Sequence, residues 1–201
     1  MQDQLNQMKS ASKIADETLI TTQRPWVSVK ATIGPRGLFF DVNGANLDLI
    51  FLLKNTGNTP AVTVRIEGSP RIDVKTNDRM IELAKVCAKT KSQEPNPKMV
   101  GYTIFPGDTL PLNNIYSFAD KELLERTANA QHGFILPIVI GCVDYFLTFG
   151  EPVHHQSRFV YTVEYPIPEG GVRAISIADG DKAANVLSLS AWLEAGSFQA
   201  D

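Results

Sequence analysis

The chain has little cysteine, little histidine and no long uninterrupted apolar run, and each shortage removes a class of function. Its two cysteines, Cys87 and Cys142, lie in no CxxC pair and beside no histidine at finger spacing, which excludes a zinc finger. Neither sign of charge dominates. A net charge of −3 lacks the basic field that nucleic acid or an anionic membrane surface requires, so no nucleic-acid partner is expected. The longest apolar stretch, residues 133–149, is broken by Pro137 and Asp144 and is too short and too β-branched for a membrane helix. Residues 1–23 lack the apolar core of a cleavable leader, so membrane attachment is expected only through a segment outside this sequence.

Catalytic signatures are missing as well. There is no Gly-x-Ser-x-Gly elbow, and Gly170-Gly171 follows Glu169 without the Lys-Ser/Thr continuation of a phosphate loop. No cofactor is expected. A disulfide in an oxidising compartment and two buried thiols both fit Cys87 and Cys142, buried thiols being the plainer reading.

What is present is strand pattern. At 201 residues the chain suits one decorated domain, able to bury about 70% of its unfolded surface. The run Asn55-Thr56-Gly57-Asn58-Thr59-Pro60-Ala61 lies between two strand-like segments, residues 47–54 and 62–67. Asn, Gly and Pro this close together supply the special backbone angles of a strand-to-strand corner, with Gly57 expected at positive φ and Pro60 fixing its own.

Residues 1–23 contain neither Gly nor Pro, and Met1, Leu5, Met8, Ser12, Ala15 and Leu19 repeat at spacings of four and three. This predicts a polar helical stalk, either a coiled coil pairing copies of the chain or a solvated leader. Pro25 ends it, and residues 26–33 alternate with strand period. A turn is expected at residues 34–37, strands at 38–42 and 45–54, helical inserts at 79–89 and 119–128, and a closing hairpin of 133–148 with 157–165. The continuous apolar centre of 45–54 suggests a strand covered on both faces. Residues 166–171 read as a linker and 183–193 as a short terminal helix, with Val186, Leu187, Leu189 and Trp192 as its apolar positions.

The domain boundaries that follow are a stalk at 1–23, a mainly β, immunoglobulin-like antiparallel sandwich at 24–168, and a tail at 169–201. Trp26 is expected to cover one end of the core. His132, His154 and His155 are the one histidine constellation, with Asp144 or Glu151 available as an oxygen ligand. They would serve a metal-dependent hydrolase only if their nitrogens converged, whereas adjacent histidines in an extended segment point to opposite faces. No metal site is assigned on this basis. Asp41, Asn43 and Asn46 lack the spacing of a calcium loop and read as turn formers.

Three motifs together carry a resemblance: Gln23-Arg24-Pro25-Trp26-Val27, Lys54 through Ala61, and Gly141-Cys142-Val143-Asp144-Tyr145 with Phe149-Gly150 and His154-His155. Over residues 23–168 the chain resembles a group of bacterial proteins, common in proteobacteria, that carry one or two membrane helices, a short polar stalk and an immunoglobulin-like domain. Here no membrane helix precedes the stalk, and Asp144 precedes its aromatic neighbour instead of following it. The resemblance implies topology and a membrane tether, and it transfers no catalytic residue. A non-enzymatic interaction or structural module is the expectation, with a protein partner not specified by the sequence and self-association through the stalk.

Overall fold

A computed structural model describes residues 2–42, 44–72, 76–92, 101–119, 133–148, 153–177 and 180–192. Helix α1 (Gln2–Gln23) leads into strand β1 (Val27–Asp41), which turns back as β2 (Gly44–Asn55) and continues through the corner to β3 (Ala61–Ile72). Helix α2 (Thr76–Ser92) follows, then β4 (Tyr102–Ile104), β5 (Thr109–Ala119), β6 (Phe134–Ile135), β7 (Pro137–Phe146), β8 (His155–Pro166), β9 (Val172–Arg173), β10 (Ile175–Ser176) and β11 (Ser188–Ala191). The expected helix at 119–128 lies outside the described residues.

The strands form two main antiparallel sheets, ordered β1-β2-β5 and β11-β8-β7-β3-β4. Their facing sides share one core, in which Leu47, Leu49, Phe51 and Leu53 of β2 meet Val139, Val143, Phe159 and Tyr161. The Phe51 and Phe159 rings lie 5.2 Å apart at its centre. The second sheet is covered on its other side too. Leu83 and Cys87 of α2 pack on Ile138, Ile140 and Cys142 of β7 and on Val160 of β8. Alternate residues of β7 therefore enter different cores, and all ten are buried. The strand covered on both faces is thus β7; on β2 the outward Ile50 and Leu52 are half-buried, and among the described residues no helix packs over the first sheet.

Three local expectations meet a different outcome. Residues 34–37 do not reverse the chain. They bulge out of a single long β1, since Ile33 pairs with Leu49 and Leu38 with Leu47, leaving only Asp48 opposite the excess. The buried Asp48 carboxylate accepts the Arg36 N–H at 3.1 Å, which stabilises the bulge. Residues 166–171 are a tight turn, in which Gly170 and Gly171 take φ of +86° and +106° and β9 folds back on β8.

The third difference is the terminal helix. A 3-10 turn at Ala184–Val186 is followed by β11, where Ser188 and Ser190 hydrogen-bond to Glu164 at 3.4 and 2.6 Å. The pairing of Ser188–Ala191 with β8 outweighs the helical spacing of its apolar residues. Just upstream, Leu38 and Lys182 exchange backbone hydrogen bonds of 3.0 and 2.7 Å. Residues 180–191 thus strap β1 of one sheet to β8 of the other.

Two core phenols report on this packing. Burial pushes both Tyr116 and Tyr161 up to about 12, the Glu67 carboxylate adding to the effect at Tyr116. A raised phenol favours the neutral form in the folded state. Its contribution is whole below the unfolded value of about 10 and is lost as pH climbs towards the folded value. Ultraviolet phenolate titration should show Tyr116 and Tyr161 ionising later than free tyrosine, with thermal stability falling over the same window. Titration of all tyrosines together with no loss of melting temperature would refute the burial assignment.

Candidate functional site

The chemically richest cluster sits on the helix-facing side of the second sheet. Arg65 of β3 and Asp144 of β7 are directly paired residues, so their side chains emerge side by side. Arg65 Nη2 donates to Asp144 Oδ2 at 2.8 Å, with side-chain exposures of 13% and 0%. His154 Nδ1 lies 3.0 Å from both carboxylate oxygens, and Gln156 Nε2 reaches Oδ1 at 3.4 Å. The same Gln156 amide donates to the Cys87 carbonyl of α2 at 2.9 Å.

Cys87 and Cys142 form a disulfide, with Cα atoms 5.5 Å apart, so the reading of two buried thiols is corrected. Helical periodicity puts Cys87 on the buried face of α2, and strand alternation puts Cys142 on the face of β7 that α2 covers. The cluster and the disulfide are neighbours, Asp144 being two residues along β7 from Cys142 on the same face.

An imidazole held by a buried carboxylate is the orienting half of a hydrolytic dyad. The nucleophile is missing among the described contacts. Cys142 is consumed in the disulfide, and Ser157, on the core-facing side of β8, hydrogen-bonds to the Val27 carbonyl instead. Through Gln156 the arrangement fastens α2 to the β7–β8 end.

His154 and His155 do not converge. The His154 ring packs on Phe146 with centroids 4.3 Å apart, while His155 stacks on Tyr145 at 6.0 Å, on the opposite face of the sheet. His132 and Glu151 lie outside the described residues, and among the described residues no group of three or more His, Cys, Asp or Glu side chains could hold a metal. Asn46 is buried and accepts the Ser117 hydroxyl at 2.6 Å, a structural bond between β2 and β5, while Asp41 pairs with Gly44 at the end of the β1–β2 hairpin and Asn43 is not described. Arg65 and Gln156 carry no motif in the sequence. Only the register between β3, β7 and β8 brings them to Asp144.

Beside this cluster a groove of about 230 Å³ runs between β3 and α2, with Glu67, Arg71, Glu82, Lys85 and Lys89 along it. Lys85 at 2.7 Å and Arg71 at 3.2 Å hold the Glu82 carboxyl below the usual carboxylate range. Much of the groove's charge is thereby spent internally.

At the other candidate region, the corner, Asn55 is fully buried. Its Nδ2 donates to the Thr59 and Ile104 carbonyls at 2.7 and 2.9 Å, and its Oδ1 accepts the Gly57 and Trp26 N–H groups at 2.9 and 3.3 Å. Trp26 is half-buried, with the Arg24 guanidinium 3.5 Å above its ring. Pro60 leads directly into β3. Gly57 is not at positive φ. Glycine is required there because a Cβ would lie 2.6 Å from both Pro25 Cα and Trp26 N.

Among the described residues no helix is long and apolar enough to cross a membrane. No protein-family model, curated protein or solved structure matches this chain.

Proposed function

We propose that the chain is an immunoglobulin-like interaction module carried on a helical stalk, tethered to a membrane through a segment outside this sequence and facing an oxidising compartment. Strand order supports the fold assignment. The order β1-β2-β5 corresponds to A-B-E, and β4-β3-β7-β8 to C′-C-F-G, with α2 inserted between C and C′. The Cys87–Cys142 bond supports the compartment, since such bonds persist where thiols are not kept reduced.

One observation carries the stalk reading. Every side chain of α1 that is described is exposed, including Leu5 at 47%, Met8 at 71% and Ile14 at 61%. A helix without tertiary packing is marginal in water, and association with a second copy supplies the missing burial. The domain offers a further surface. The strap at residues 180–191 closes the β1–β8 side, whereas β5 is the outer strand of its sheet, with Ile115 exposed. A partner strand pairing there would extend the sheet.

Light scattering on the full chain and on residues 23–201 tests the stalk. The full chain is expected to associate and the shortened one to be monomeric with an unchanged melting temperature. Equal monomeric masses for both would remove the basis for a pairing stalk.

A further inference from the structure

We infer that residues 55–59 are a rigid joint that sets the direction in which the stalk leaves the domain. This deepens the stalk reading by making α1 a fixed arm in place of a flexible tether. Each of residues 55–59 meets the chain at 22–26. Asn55 Oδ1 accepts the Trp26 N–H at 3.3 Å. Thr56 donates to the Trp26 carbonyl twice, from its backbone N–H at 2.7 Å and from its hydroxyl at 3.1 Å. Gly57 lies so close to the backbone of Arg24, Pro25 and Trp26 that no side chain fits between them.

Asn58 and Thr59 then finish the helix. The last carbonyls of an α-helix have no partner within it and must find one elsewhere. Asn58 Nδ2 donates to the Thr22 carbonyl at 2.9 Å, and the Thr59 hydroxyl donates to the Gln23 carbonyl at 2.5 Å. The domain itself therefore caps α1. Two carbonyls of one helical end, held by two adjacent side chains, define an axis as well as a point of attachment.

The joint is anchored inward. Asn55 N–H bonds to the Asp108 carbonyl at 3.2 Å, its own carbonyl accepts the Gly107 N–H at 2.8 Å, and its side chain holds Ile104. A torque on the stalk thus reaches both sheets, because Asn55 ends β2 and Ile104 lies in β4. Pro25 removes one backbone freedom from the connection, and Arg24 stacked on Trp26 restricts another.

Double electron–electron resonance between nitroxides at Lys9→Cys on α1 and Lys30→Cys on β1 tests this in the full chain; both positions are exposed and the native cysteines are paired. Dilution with unlabelled chain leaves only the intramolecular distance, readable whether or not copies associate. The parent is expected to give one narrow distance peak. Asn58→Ala with Thr59→Ala should lose that peak to a broad distribution while the melting temperature of the domain stays the same. Thr59→Ser, which keeps the hydroxyl, should retain the peak, and the isosteric Thr59→Val should widen it even if the double variant fails to fold. A broad distribution in the parent, or an equally narrow one in Thr59→Val, overturns the inference.

Discussion

Arg65→Ala is expected to lower the unfolding free energy by about 3–5 kcal/mol, because it leaves a carboxylate buried without its cation. Asp144 is completely shielded from solvent, and Arg65 is its only guanidinium partner among the described residues. His154 and Gln156 remain beside it, but the Gln156 amide compensates a buried charge less well than a cation does. Denaturant unfolding of the single variant measures the loss. The double change Arg65→Met with Asp144→Leu removes both charges and keeps the volume, so it should recover much of the stability. A single variant as stable as the parent would mean that the pair contributes nothing. If the double variant proved worse than the single one, the cluster would owe its stability to hydrogen bonding and not to charge.

Removing the disulfide is expected to cost a similar amount. Cys87 and Cys142 are 55 residues apart, and closing a loop of that length in the unfolded chain corresponds to about 4 kcal/mol. The bond fixes the middle of α2 to the strand that serves both cores, so its loss should be felt first in the helix. Cys87→Ala with Cys142→Ala should therefore show a lower denaturant midpoint, and α2 amides should exchange faster than those of β2 and β5. The parent in excess dithiol should behave like the double variant once unfolding exposes the bond. Identical midpoints for parent and variant in oxidising buffer would contradict the assignment.

The two effects act on one region. The disulfide, the Gln156 bridge to the Cys87 carbonyl and the Arg65–Asp144 pair all fasten α2 and the β7–β8 end to the outer face of the second sheet. At the other extreme of function, the corner fastens the stalk to both sheets. What these described residues offer is therefore mostly attachment between elements of the domain.

Much of the fold was legible in the chain. Alternation marked the start of β1, β-rich runs marked β2, β3, β7 and β8, Pro25 marked the end of α1, and helical spacing marked α2. Boundaries and covering were less legible, since they depend on what packs above a strand. The apolar run at 45–54 reads like a doubly covered strand, yet α2 lies over β7. Residues 183–193 have helical spacing, yet the open edge of β8 draws 188–191 into a strand.

The sequence by itself determined the class of structure, because period, turn residues and composition act locally. It also marked the corner at 55–61, whose residue types suit a tight connection. Only the tertiary structure decided which groups meet. Pairing register, a relation between segments 79 residues apart, brought Arg65 to Asp144. The same holds at Gly57, where no local angle demands glycine and the reason is another stretch of backbone passing within van der Waals reach.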